Sequence, residues 1–187
     1  MSIATKTGDG GDTGLMYNRR VSKCHPRVEA CGAVDELNAA LGLARASAPA
    51  PAQNARLEGI QKDLVILMGE LATETEDLPR YVKDGYSVVT GGLTARLDLI
   101  VSEIEARKIS FKGWAIPGDN PASATLDVAR AACRRAERRV CALLEAGRLP
   151  NGEIIVYLNR LADALWLMAR EAGEFKAGSH NKSIASP

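Results

Sequence analysis

A helical spacing of apolar residues constrains this chain more than any other feature, because it recurs from residue 27 to residue 175. From residue 57 to residue 71, leucine, isoleucine and methionine return at every third or fourth position, which is the spacing of the buried stripe on an amphipathic helix. Aromatic residues make up only 4% of the chain, whereas strands favour aromatic and β-branched residues. The sequence therefore predicts an all-α fold.

The pattern divides into five long helices. We expect them at residues 27–48, from residue 52 to about residue 71, and at residues 93–108, 121–146 and 151–175. Residues 78–92 carry one proline, three glycines and no helical period, and are predicted to be a long loop. Five helices joined mostly by short loops indicate an antiparallel bundle. We expect one domain over residues 1–187, with a glycine-rich segment at 1–26, the bundle at 27–175 and a flexible tail at 176–187.

Charge and composition exclude several classes of function. The 24 lysines and arginines nearly balance the 23 aspartates and glutamates, which argues against a general nucleic-acid or membrane-surface protein. No apolar run reaches the roughly 20 residues of a membrane span, and the N-terminus lacks the charged and apolar segments of a secretory signal. We therefore expect a cytoplasmic protein without nucleic-acid or membrane partners.

The four cysteines do not form a CxxC pair or a disulfide framework. Cys24, His25 and Cys31 can be drawn as a partial metal site, but a fourth ligand is missing. Cys31 also falls in a helical pattern, where a small buried side chain fits. Reduced structural thiols are the favoured interpretation.

Three arginines are stacked on the predicted fourth helix. Arg130, Arg134 and Arg138 follow Asp127 at three- and four-residue steps, and like charges at this spacing repel one another. One interpretation is a solvated surface in which Glu137 pairs with Arg134. The other is a clamp for a polyanion, since the planar guanidinium binds phosphate oxygens bidentately. The local pattern leaves both open.

The stretch TKTGDGGDTG at residues 5–14 can bury almost nothing. Backbone N–H groups of glycine-rich turns form anion-binding concavities, and Lys6 adds a positive charge. Asp9 and Asp12 indicate either a bridging cation such as Mg²⁺ or hydrogen bonds that close the turn. The spacing fits neither a Walker A loop nor an EF-hand. A phosphate-binding loop and a disordered leader both remain open.

Polar residues lie beside apolar stripes on two predicted helices. Asp35 and Asn38 lie one turn apart on the first helix, and Asn159 and Asp163 repeat that arrangement on the last. We expect these side chains to be buried or nearly so and to need partners. They either form hydrogen bonds within the bundle or, for the aspartates, pair with an arginine of another helix.

Several segments in order carry a resemblance to a known family. TKTGDGGDTGL, RVSK with RVEACGAVDELNAALG, WAIPG, RAACRRAERRV and YLNRLADALW resemble the PduO-type ATP:cob(I)alamin adenosyltransferases over nearly the whole chain. The resemblance implies a five-helix bundle that assembles as a homotrimer, with active sites between subunits. There cob(I)alamin attacks the 5′ carbon of ATP and displaces triphosphate in the presence of Mg²⁺, which is bound mainly through the ATP phosphates. The leader is expected to close over the triphosphate when ATP binds.

The resemblance also implies roles for individual residues. Catalytic roles fall on Arg130, Asp35 and Trp114, with Asp35 pairing with Arg130 across the subunit interface. ATP-binding roles fall on the glycine-rich loop, a following lysine and residues of two helices: Thr5, Lys6, Thr7, Gly8, Asp9, Gly10, Gly11, Asp12, Thr13, Lys23, Arg130, Arg134, Arg135, Glu137 and Asn159.

Three positions depart from the pattern of that family. Trp114 replaces a common phenylalanine, Asp119 a glycine and Asp127 a histidine. These changes flank the expected corrinoid side, so the substrate is either cob(I)alamin or another reduced corrinoid. A cobalt reductase and an adenosylcobalamin-dependent enzyme are the expected protein partners. A non-catalytic ATP-binding sensor or adenosylcobalamin carrier is the alternative function.

Overall fold

A computed structural model describes residues 4–48, 50–108 and 115–174. Five long helices and one short helix dominate these residues: α1 (Pro26–Ser47), α2 (Pro51–Leu71), α3 (Leu78–Lys83), α4 (Gly91–Glu105), α5 (Pro121–Glu145) and α6 (Glu153–Glu174). Two short strands, β1 (Asp12–Gly14) and β2 (Arg20–Ser22), precede the bundle. The predicted all-α fold with five long helices is confirmed, and the helix bounds agree to within a few residues.

Local chemistry fixes where the helices begin. The His25 ring accepts a hydrogen bond from the Arg27 backbone N–H at 3.2 Å and caps α1, which opens with a proline in its first turn. Asn120 and Ser123 form a reciprocal capping box at the start of α5. Proline is tolerated in the first turn because the backbone N–H that it lacks would have no partner within the helix.

Helix α5 packs between α1 and α6, while α2 packs on α1 and α4 packs on α6. Consecutive long helices run antiparallel: the Asn120 amide at the start of α5 donates to the Ala172 carbonyl near the end of α6 at 2.7 Å. Helices α4 and α6 run parallel: the Thr94 hydroxyl, near the start of α4, donates to the Glu153 carboxylate at the start of α6. All five long helices contribute to one apolar core, which includes Val34, Leu37, Leu41, Ala44, Leu57, Leu64, Leu97, Ile104, Leu126, Val140, Leu158, Leu161, Leu165 and Met168.

The predicted loop at residues 78–92 is wrong at both ends. Its first six residues form α3, and α4 already begins at Gly91. A six-residue helix is too short to show an apolar period, and it is stabilised here by tertiary contacts: Tyr81 is buried and stacks on Tyr86 with ring centres 4.6 Å apart.

The N-terminal segment folds as a β-hairpin that the sequence did not predict. β1 and β2 pair antiparallel, with Thr13 opposite Val21. Three-residue strands are too short to show alternation, so tertiary context decides their conformation. Trp114 and the expected tail at residues 176–187 lie outside the described residues. Among the described helices, none is long and apolar enough to cross a membrane.

Candidate nucleotide site

The glycine-rich loop closes through its own backbone. The Asp9 N–H donates to the Lys6 carbonyl at 3.3 Å, and the Gly11 N–H donates to the Gly8 carbonyl at 3.2 Å. Gly11 has a φ of 88°, which favours glycine. The Lys23 N–H then donates to the Gly11 carbonyl at 2.8 Å and ties the loop to the end of β2.

Two cationic side chains from β2 and the residues after it reach this loop. Lys23 lies over Gly8, where an added Cβ would be only 3.3 Å from the lysine Nζ. Arg20 donates to the Thr7 carbonyl at 2.9 Å, and the hydroxyls of Thr5 and Thr7 lie 2.9 Å apart. The loop is therefore a positively charged turn with hydroxyl and N–H donors, which is chemistry suited to phosphate.

The hairpin is anchored on the segment that contains α3. The Arg19 guanidinium pairs with Asp77 at 2.7 Å, and the Tyr17 hydroxyl donates to Asp84 at 2.9 Å. Arg80 lies over the Tyr17 ring, 4.2 Å from its centre. Desolvation and the hydrogen bond to Asp84 raise the pKa of Tyr17 to about 12. Sequence reasoning missed this anchor because its partners are far apart in the chain and no local pattern joins them.

A second set of predicted residues lies on three adjacent helices. Asp35 on α1, Arg134 on α5 and Asn159 on α6 are all exposed in this chain, and so is Asp163. The prediction of buried or nearly buried side chains is wrong for Asp35, Asn159 and Asp163 in the single chain, whereas Asn38 is partly buried and its Oδ1 is fully buried. Each of the four exposed residues is next in sequence to a buried residue of its helix, and this one-residue step turns its side chain outward.

Helix α5 places its arginines in two different environments. Arg135 pairs with Glu36 of α1, and Arg139 pairs with Glu29 of the same helix at 3.1 Å. Arg134 makes no ion pair with any described carboxylate, including Glu137. The pairing expected for a solvated surface is therefore absent from the described residues, and the exposed charge of Arg134 is free to meet an anion.

Arg130 lies at the border of α5 and α6. Its Nε is 3.5 Å from Oδ1 of Asp127, which also forms an ion pair with Arg170 of α6. Asp127 was expected to flank the corrinoid side, and the structure places it in a buried ion-pair cluster. The position of Trp114 lies outside the described residues, so its catalytic role stays a prediction.

The loop precedes α1 in the chain, whereas the arginine-bearing face lies on α1, α5 and α6. Asp35 lies about 13 Å along α1 from Pro26, at roughly 1.5 Å per residue. Among the described residues, no hydrogen bond or ion pair joins the loop at 5–13 to Asp35, Arg130, Arg134 or Asn159. The predicted site residues of one chain thus form two groups, the loop and the helical face, without a described hydrogen bond or ion pair between them.

The cysteines are free thiols in different surroundings. Cys24 is exposed, whereas burial raises the pKa of the Cys31 thiol to about 11 and also raises that of Cys133. Within the described residues, no three histidine, cysteine, aspartate or glutamate side chains converge on a possible metal position.

The described residues define a helical-bundle protein with a glycine-rich, cationic N-terminal loop and an arginine-bearing helical face. The chain belongs to the cobalamin adenosyltransferase family, whose sequence model matches residues 3–172. Two relatives from Citrobacter freundii are each 39% identical to it. The corrinoid adenosyltransferase PduO matches 91% of this chain and 49% of its own length, and a second corrinoid adenosyltransferase matches 90% and 93%. The chain therefore spans about half the length of the PduO relative.

Solved structures agree with this membership. A variant of the PduO-type ATP:corrinoid adenosyltransferase of Lactobacillus reuteri, complexed with cobalamin and ATP, superposes with a TM-score of 0.85 at 29% identity. The match covers 94% of this chain and 96% of that one. A second variant of the same enzyme, complexed with ATP, superposes with a TM-score of 0.83 at 28% identity.

Proposed function

We propose that this chain transfers the 5′-deoxyadenosyl group of ATP to the cobalt of cob(I)alamin or a related reduced corrinoid, with release of triphosphate. The observation that carries the proposal is family membership over residues 3–172, combined with the glycine-rich loop and the exposed arginine face. The relatives named corrinoid adenosyltransferases and the similar structure bound to cobalamin and ATP support it.

The reaction needs no nucleophile from the protein. The electron pair of the reduced cobalt forms a bond to C5′ of the ribose, and the bond from C5′ to the triphosphate oxygen breaks. The nucleophile belongs to the corrinoid substrate, so the chain must orient the two substrates and stabilise an anionic leaving group. This division of labour fits a site made of arginines, a lysine and backbone N–H donors.

We assign the triphosphate to the glycine-rich loop and the arginine face. Lys23 and the loop N–H groups bind phosphate oxygens, and Arg130 and Arg134 neutralise the charge that leaves with triphosphate. Mg²⁺ enters this site as an ion held mainly by the phosphates of ATP. When bound, it supplies further neutralisation of the leaving group.

The loop and the helical face meet, in this proposal, between subunits of a homotrimer. The loop of one subunit lies against the α1, α5 and α6 face of its neighbour, and Asp35 pairs with the partner subunit's Arg130. Exposed apolar side chains on the same three helices, Leu43, Val128 and Val156, support burial of that face by another copy.

The proposal also implies protein partners and a location. A reductase must deliver cobalt in the +1 state, and an adenosylcobalamin-dependent enzyme must use the product. We place the reaction in the cytoplasm. The role of contacting the corrinoid is assigned to Trp114, because WAIPG resembles the family pattern at that position.

An anaerobic assay tests the proposed activity. The purified chain is mixed with chemically reduced cob(I)alamin, ATP and Mg²⁺, while absorbance follows adenosylcobalamin and a separate assay measures triphosphate. We expect the two products in equal amounts, and their loss in the Arg130→Ala variant. ATP binding without turnover would instead favour the sensor or carrier.

A further inference from the structure

The Asp127 carboxylate is shared by two arginines at the border of α5 and α6. Its side chain is 6% exposed and forms an ion pair with Arg170, whose own side chain is 10% exposed. Arg130 lies one helical turn further along α5, with its Nε 3.5 Å from Oδ1 of Asp127. The cluster contains two guanidinium groups and one carboxylate, so it carries a net charge of about one positive unit. No other described carboxylate forms an ion pair with it.

Each of the three side chains has a distinct position. Arg170 comes from α6, close to the Trp166 ring, and reaches across to α5. The Arg130 side chain is 30% exposed and directs Nε towards Asp127. Its Nε is buried and has no hydrogen-bond partner, and its two Nη groups form no hydrogen bond to a described residue. Arg130 is therefore attracted to Asp127 by charge without a hydrogen bond, and both Nη groups remain available.

We propose that Arg170 is a positioning residue that acts on Arg130 through Asp127. Arg170 occupies Asp127, so the carboxylate forms no hydrogen bond to Arg130, and the Nη groups of Arg130 stay available at the proposed subunit interface, to the triphosphate of ATP as well as to the partner subunit's Asp35. This inference rests on the proposed function, because it assigns a partner to the same arginine. The inference means that Arg170, a residue of α6, affects the affinity for ATP.

Removing Arg170 takes away one of the two cationic partners of the buried Asp127 carboxylate. Asp127 then has Arg130 as its one described cation, and the preferred geometry of such a pair is bidentate. The carboxylate draws Arg130 inward and engages one Nη group as well as Nε. Misaligning one charge-assisted hydrogen bond to ATP weakens ATP binding by at least about tenfold.

Calorimetric titration with ATP and Mg²⁺ tests this positioning in the intact chain. We compare Arg170→Gln and Arg170→Lys in the wild-type background, and Arg170→Gln again in the Arg130→Ala background, with ATP extended into the millimolar range. The matched control is Arg56→Gln, which removes another partly buried arginine between two carboxylates, Glu103 and Glu171. Circular dichroism checks that each variant is folded.

The expected pattern is a weakening of at least about tenfold for Arg170→Gln and under about twofold for Arg56→Gln. Arg170→Lys, which retains the charge, restores most of the affinity. In the Arg130→Ala background, Arg170→Gln changes the ATP affinity by less than about twofold, because the guanidinium that Arg170 positions is absent.

Equal weakening in both backgrounds would show that Arg170 acts by packing alone and would overturn the inference, as would unchanged affinity in Arg170→Gln. ATP affinity also separates this inference from the proposed function. A wild-type chain that binds ATP and forms no adenosylcobalamin refutes the transfer reaction and leaves the positioning role to be judged by the same titrations. A wild-type chain that does not bind ATP refutes both.

Discussion

Replacing Arg27 with methionine is predicted to destabilise the bundle strongly. Arg27 is 1% exposed and donates to two backbone carbonyls, that of Leu71 at 3.0 Å and that of Arg148 at 2.8 Å. It also pairs with Glu74 at 3.2 Å. One side chain thus joins the start of α1 to the end of α2 and to the connection between α5 and α6.

The magnitude follows from the groups that methionine leaves unpaired. Two carbonyls lose charge-assisted hydrogen bonds worth about 1.5–3 kcal/mol each, and Glu74 loses its cation. Methionine fills a similar volume, so little of the loss comes from a cavity. We expect the free energy of unfolding to fall by about 3–5 kcal/mol and the melting temperature to fall by on the order of 10 °C.

Denaturant unfolding followed by far-UV circular dichroism measures this loss. Protein concentration is held fixed, because the proposed assembly would make apparent stability depend on it. Lys62→Met is the control: its ion pair with Glu58 is exposed, and its removal changes stability by about 0.5 kcal/mol or less. A loss below about 1 kcal/mol in Arg27→Met would refute the reasoning that these carbonyls depend on Arg27.

Three further predictions concern the loop, its anchor and the thiols. Lys23→Ala raises the KM for ATP by about tenfold or more, since it removes one charged donor to the triphosphate, and steady-state kinetics measures the change. Arg19→Ala breaks the pair with Asp77 and loosens the hairpin, which increases proteolysis of the N-terminal segment in the absence of ATP. At about pH 8 a thiol reagent labels Cys24 before Cys31, because the raised pKa keeps the Cys31 thiol neutral, and mass spectrometry of the peptides shows the order.

Each of these predictions has a clear opposite result. An unchanged KM in Lys23→Ala would remove Lys23 from the ATP site. Equal proteolysis of Arg19→Ala and wild type would show that the anchor does not hold the hairpin. Labelling of Cys31 as fast as Cys24 in the folded protein would contradict its burial.

The sequence predicted the long helices because each contains enough turns to repeat its apolar stripe. Leu57, Leu64 and Leu71 are fully buried where the spacing placed them. Short elements were missed, since neither a six-residue helix nor a three-residue strand repeats a pattern. The contact of Tyr17 with Asp84 was beyond prediction because it joins residues far apart in the chain.

The candidate site was predictable in its residue types and less so in its geometry. The period of α1 and α6 shows which face carries Asp35 and Asn159, but it does not show whether another copy of the chain covers that face. The same limit applies to Asp127: its place on the helix was evident, whereas its ion pair with Arg170 depends on how α6 packs. Ion pairs between helices are set by packing, which local spacing does not encode.

A mixing experiment tests the central claim that the loop of one subunit and the helical face of another form one adenosyltransferase site. Lys23→Ala and Arg134→Ala variants are each prepared alone and also co-expressed, and adenosylcobalamin formation is compared with wild type. At an ATP concentration well below the KM values of wild type and variants, each variant alone is expected to show about a tenth of wild-type activity or less. Random assembly of a ring of subunits pairs an intact loop with an intact face at about a quarter of the sites, so the mixture should recover about a quarter of wild-type activity. No recovery in mixed assemblies, when wild type is active, would contradict a site shared between subunits.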